Sequence, residues 1–218
     1  MISTRDLSNL PKPEDLCKLF QALAMLDAIL EEEWDYRYYS FNSKWSIDEQ
    51  MGSMRNGSGD DLFALFNSSG CFLRGFDHES TMSPWNAMQP KTWLGVLDGV
   101  PQQFADALNE PAFHMEDTTF CIWRSEGDSN WSHGQIEFPK NDEDPDGSQW
   151  MLSPLEGNPE TYQSFVKEYY ELDVDLDIIS SIFAHEPLSQ ELLLRFPTSR
   201  NYEDVISVAE EIGYPFKR

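Results

Sequence analysis

Two apolar runs, Asp61-Leu62-Phe63-Ala64-Leu65-Phe66 and Cys71-Phe72-Leu73-Arg74-Gly75-Phe76, are separated only by Asn67-Ser68-Ser69-Gly70. Short runs rich in Phe and Leu, bounded by turn-forming residues, read as strands, and a connection this short joins them antiparallel. The chain is thereby committed to an antiparallel sheet. A second hairpin is expected where residues 118–123 and 135–138 flank Glu126-Gly127-Asp128-Ser129-Asn130, and another strand from Tyr36, Tyr38, Tyr39 and Phe41. Between the hairpins, Pro101 is placed to open a short helix reaching Leu108.

Helical periodicity brackets the strands. Near the start, Pro13 precedes Glu14 and Asp15, and Leu16, Leu19, Phe20, Leu23, Leu26 and Leu30 recur at spacings of three and four. Glu31, Glu32 and Glu33 then oppose the helix dipole, so that end is expected to fray or to meet a basic group. In the last third, Asn158 and Pro159 open a helix with Tyr162, Phe165, Val166 and Tyr169 on one face. Helices over 174–184 and 188–196 follow. A last one is capped by Asn201, buries Val205, Val208, Ala209 and Ile212, and ends at Gly213. This order predicts an α+β fold: an N-terminal helix, a central, mostly antiparallel sheet with hairpins, and C-terminal helices. A length of 218 residues suits a single α+β domain, with a sheet-rich region 1–147, a helical tail 148–218, and a seam at 140–147.

Charge narrows the choice of partner. Fifteen Lys and Arg stand against 39 Asp and Glu, a formal net charge of −24. Such a field repels nucleic acid phosphates and anionic lipid, so neither is an expected partner, whereas a basic protein partner is. From 137 to 186 the chain holds 13 acids and two bases. Cys17, Cys71 and Cys121 form no C-x-x-C pair and read as buried free thiols, not as disulfides or a zinc knuckle. No apolar leader is present, and the apolar stretch 19–30 is interrupted by Gln21 and Asp27 and too short for a bilayer, so a cytoplasmic location is expected.

Four local patterns bear on chemistry. Arg55-Asn56-Gly57-Ser58-Gly59-Asp60-Asp61 spaces its glycines like a phosphate cradle, but lacks the Lys and the following helix. It reads as a tight turn feeding a strand, with Asp60 bonded to the turn. Asp77-His78-Glu79 gathers acids and an imidazole at a strand end, able to orient a general base or, with His114 or His133, to ligate a metal. Alternation along a strand keeps Asp77 and His78 apart unless the chain turns there. Asp142-Glu143-Asp144-Pro145-Asp146-Gly147 starts like a calcium loop, yet its twelfth position is Ser153 in place of Glu. A solvated acidic loop is expected. Finally, Trp34, Tyr36, Tyr38, Tyr39 and Trp45 cluster among acids, the composition of a protein-binding hot spot.

The favoured reading is a non-enzymatic protein-binding module with no cofactor, no metal and no catalytic residues. Its expected contact residues are Trp34, Tyr36, Trp45, Asp142, Glu143, Asp144 and Asp146. The alternative is a hydrolase-like enzyme whose site combines Asp77, His78 and Glu79 with Asp60 and the loop 57–61.

The runs Asn56-Gly57-Ser58-Gly59-Asp60-Asp61, Gly75-Phe76-Asp77-His78-Glu79-Ser80, Leu97-Asp98-Gly99-Val100-Pro101, Phe120-Cys121-Ile122-Trp123-Arg124 and Ile212-Gly213-Tyr214-Pro215 resemble an uncharacterised family of acidic bacterial cytoplasmic proteins. That resemblance brings no activity and no catalytic residues. More distantly, an acidic chain with a leading helix, a sheet and trailing helices resembles toxin-immunity proteins of the SUKH type, which implies neutralisation of a basic toxin.

Overall fold

The computed structural model describes residues 1–217. Helix α1 (Pro13–Leu30) leads into β1 (Tyr39–Ser46), β2 (Glu49–Arg55), β3 (Asp61–Asn67), β4 (Gly70–Phe76), β5 (Phe120–Ser125) and β6 (Ser132–His133). Helices α2 (Ser148–Leu152), α3 (Pro159–Tyr169), α4 (Leu176–Phe183), α5 (Gln190–Leu193) and α6 (Tyr202–Ile212) follow. The six strands form one sheet in chain order, and the pairs from β3 to β6 are antiparallel. The architecture is α+β with the N-terminal helix, sheet and C-terminal helices in the expected order. No described helix is long and apolar enough to cross a membrane.

The chain divides into two compact units, each made of two segments. One comprises Met1–Pro13 and Ser53–Glu156, the other Glu14–Gly52 and Gly157–Arg218. The acid surplus is shared: 18 acids to seven bases in the first unit, 21 to eight in the second.

In the first unit, β3 and β4 pair from Asp61↔Phe76 to Asn67↔Gly70, so the turn is the Ser68-Ser69 pair. Gly70, at φ 128, lies directly against the backbone at Arg124 and Ser125, where a side chain has no room. All seven residues of β4 are buried. Successive side chains point to opposite faces, so the strand is covered on both. Phe104 and Phe113, from short 3₁₀ turns, cover the face carrying Phe72 and Phe63, with ring centroids 6.0 and 5.2 Å away. Arg74 sits on that face, fully buried. Its guanidinium pairs with Asp61 and donates to His114 O at 3.0 Å and Thr118 Oγ1 at 3.3 Å.

In the second unit, α1 buries Leu16, Leu19, Phe20, Leu23 and Leu26 as its periodicity predicts. The acidic end meets basic groups. Arg37 Nε donates to Glu31 O at 2.9 Å and its Nη2 to Glu32 O at 2.7 Å, while Arg200 donates to Ala28 O. Two guanidiniums thus satisfy a carbonyl of the last helical turn and two in the segment that follows it. Asn158 accepts from Glu160 N and Asn201 from Asp204 N, the two expected caps.

Three elements depart from the sequence reading. The strand paired to β5 is Ser132–His133, not 135–138. Pro101 introduces two 3₁₀ turns, Gln102–Phe104 and Ala107–Asn109, in place of a helix. Strand β2 has no counterpart in the hydropathy pattern, because Gly52 breaks its run. That glycine serves close packing: a Cβ there would lie 2.7 Å from Phe20 Cδ1.

Candidate functional site

The expected contact residues fall in both units and meet different environments. Trp34, Asp35 and Tyr36 form a 3₁₀ turn after α1, in the second unit. Trp34 is 50% and Tyr36 67% exposed, with Glu32, Glu33 and Asp35 exposed beside them. Arg37 donates its Nε and Nη2 to main-chain carbonyls of Glu31 and Glu32. Trp45 is half-buried in β1. Tyr38 and Tyr39 turn inward, where Tyr38 packs 4.7 Å from the Phe165 ring.

The acidic loop is more ordered and less solvated than its composition implies. Asp146 is 1% exposed; its Oδ2 accepts from Thr4 Oγ1 at 2.6 Å and its Oδ1 from Ser148 N and Oγ at 3.1 and 2.7 Å. Asp144, half-buried, accepts from Gln149 N and Trp150 N at the start of α2. Burial pushes its carboxyl up, and the nearby Asp146 and Asp77 charges push the same way. Asp142 accepts from Thr81 Oγ1 and Asp144 N, and only Glu143 of the four acids is exposed. Backbone N–H groups of the loop and of a helix start, with the hydroxyls of Thr4, Thr81 and Ser148, hold three of these carboxylates.

The alternative site assembles. Strand β4 ends at Phe76 and the chain turns at once, with Ser80 N donating to Asp77 O. The turn removes the strand alternation that would have separated Asp77 from His78. Asp60 lies one residue before β3 and Asp77 one residue after β4, so the Asp61↔Phe76 register makes them neighbours. On the other side, Asn56 Oδ1 accepts from Ser58 N at 2.8 Å and Asp60 N at 3.2 Å, closing the glycine loop as a tight turn. Gly57 and Gly59 supply its positive φ values of 74 and 112.

Asp60 is the anchor. It is buried, its Oδ2 accepts from Asn56 Nδ2, and its Oδ1 accepts from His78 N at 2.8 Å and lies 2.6 Å from His78 Nδ1. The His78 side chain is 42% exposed, and its Nε2 lies 4.0 Å from Glu79 Oε1. The hydrogen bond to Asp60 raises the imidazole above its ordinary value. Asp77 is held at both oxygens: Oδ1 accepts from Glu79 N at 2.9 Å and Oδ2 from Trp150 Nε1 at 2.9 Å. Gly147, at φ 74, lies directly against the Asp77 side chain, and Thr119 Oγ1 accepts from Asp77 N while donating to Asp146 O. One ligand atom from each of Asp60, Asp77 and His78 lies within 4.8 Å of the others.

His114 and His133 do not join this cluster. The His114 carbonyl serves Arg74, and His133 Nδ1 lies 2.7 Å from Gly134 O. Trp150 is the residue that sequence reasoning missed; as an isolated Trp after an acidic loop it carries no periodic signal. Cys71 and Cys121 are buried, and Cys17, half-buried, is pushed up to about 12 by burial.

Compared with family models, with curated proteins and with solved structures, the chain has no match.

Proposed function

We propose that this chain is a protein-binding module for a cationic protein, and that the turn Trp34–Tyr36 is its anchor. The observation that carries this is the exposure of two aromatic side chains inside a run of carboxylates, with the adjacent Arg37 committed to backbone. Indole and phenol faces offer cation–π contact and apolar burial, and the flanking carboxylates supply charge-assisted bonds to Lys or Arg. A net charge of −24 steers such a partner from a distance. The resemblance to immunity proteins makes a basic toxin one partner of the required chemistry.

The test is capture from host lysate at low salt, then association kinetics with the captured protein. Association should slow steeply as salt shortens the Debye length from roughly 30 Å at 0.01 M to 3 Å at 1 M, while dissociation changes less. Trp34→Ala and Tyr36→Ala should each speed dissociation. An acidic partner, or association indifferent to salt, overturns the reading.

A second reading, a hydrolase-like enzyme, is favoured by one contact: Asp60 orients His78 through Nδ1 while the ring remains exposed. A substrate screen with His78→Ala as the control decides it.

A further inference from the structure

We propose that Asp60, Asp77 and His78 form a binding site for a divalent transition-metal ion of the zinc or manganese class. The three donors come from two segments that the β3–β4 register holds together, and each is oriented by a group outside the triad. Asn56 fixes Asp60, Trp150 Nε1 fixes Asp77, and Glu79 faces the far nitrogen of His78. At 4.0 Å the Glu79 carboxylate lies beyond hydrogen-bond distance, on the side from which a carboxylate supports a ligating imidazole.

Burial points independently to a cation. Asp60 is 7% and Asp146 1% exposed, and among the described residues neither they nor Asp77 has a Lys or Arg ion pair. Thr119 ties Asp77 to the Asp146 backbone, so these anions share one neighbourhood. Buried carboxylates are ordinarily paired with a base or coordinate a metal. Here the base that faces Asp60 is His78, itself one of the three donors.

The ion would take the place of the proton now shared between His78 Nδ1 and Asp60 Oδ1, releasing that proton to solvent. One nitrogen and two oxygens leave further positions for water, which makes this an open site. Imidazole favours zinc over calcium and magnesium, which prefer all-oxygen shells, while the two carboxylates also suit manganese.

The experiment is calorimetric titration of the full chain with zinc, manganese and calcium chlorides. We expect one saturable zinc site, absent in His78→Ala and Asp77→Asn and retained in Glu126→Gln, which lies in the β5–β6 turn. Trp150→Phe keeps all three ligands but frees Asp77, and should weaken zinc by about 10- to 100-fold. Circular dichroism on each variant separates lost ligands from lost fold. Absence of saturable zinc binding overturns the proposal. So does calcium binding of equal strength that survives His78→Ala, which would mark a nonspecific acidic sink.

Discussion

The Tyr162 hydroxyl donates to Asp27 Oδ1 at 2.6 Å, joining α3 to a fully buried carboxylate in the last turn of α1. Tyr170 OH and Tyr39 N donate to the other oxygen at 2.9 and 2.7 Å. The desolvation of this anion is offset mainly by these hydrogen bonds.

Burial pushes Asp27 up from 3.8 to about 6, against the downward pull of its hydrogen-bond donors. The folded state therefore holds this proton more tightly than the unfolded chain. Between pH 4 and 6 the folded protein carries the proton and the unfolded chain does not. Asp27 thus makes stability fall as pH rises through that window and contributes no slope above it. The drop is on the order of 3 kcal/mol. Urea denaturation of wild type and Asp27→Asn across pH 4–7 should show it in wild type alone; identical profiles refute it.

Removing one donor should be felt directly. Tyr162→Phe leaves the ring in place and deletes a bond to a charged group, a loss of about 1.5–3 kcal/mol at pH 7. The deletion also removes a contact that favours the charged form, so the Asp27 midpoint should rise further. Stability unchanged by Tyr162→Phe would mean that water replaces the hydroxyl.

Arg74 is the largest fully buried side chain, and among the described residues its ion pair is with Asp61. Arg74→Met fits the Phe63 and Phe76 rings it now faces but abandons Asp61. Breaking a buried pair from one side costs about 3–5 kcal/mol, and adding Asp61→Asn should recover part of it. A loss below about 1 kcal/mol in chemical denaturation would contradict this.

His78 should titrate above 6.5 because Asp60 accepts from its ring. A raised imidazole stabilises the fold below the unfolded value, and that contribution is lost as pH rises through the folded midpoint. Two-dimensional NMR should record the raised midpoint in metal-free protein and its return toward 6.5 in Asp60→Asn. An unmoved midpoint would show that the contact at 2.6 Å is not a persistent hydrogen bond.

Gly52→Ala tests the close approach of β2 to α1. The added methyl would meet Phe20 Cγ at 2.8 Å, so either the ring or the strand must shift, at about 1–3 kcal/mol. Thermal unfolding of the variant checks this, and an unchanged midpoint would show that Phe20 has room to move.

Much of the fold was legible because its signals are local. The Ser68-Ser69 turn, the Asn158 and Asn201 caps and the α1 stripe each depend on residues within a few positions of one another. Strand β2 was not, because Gly52 is chosen by the ring of Phe20, more than thirty positions away in the chain. The carboxylates of 142–146 read as solvent-facing by composition, and Thr4 and Ser148 turned Asp146 inward.

The candidate cluster divides the same way. A two-residue hairpin with its register set at Asn67↔Gly70 already makes Asp60 and Asp77 neighbours, so their pairing was implicit in the chain. The sequence by itself therefore determined an antiparallel hairpin, its bracketing helices, the acid excess and this meeting of two aspartates. Only the tertiary structure decided that His78 would turn back onto Asp60, that Trp150 would clamp Asp77, and that Asp27 would be enclosed by Tyr162 and Tyr170. Each of those contacts joins groups whose local patterns are indifferent to one another; they form because a buried or half-buried polar atom must find a partner wherever packing has placed one.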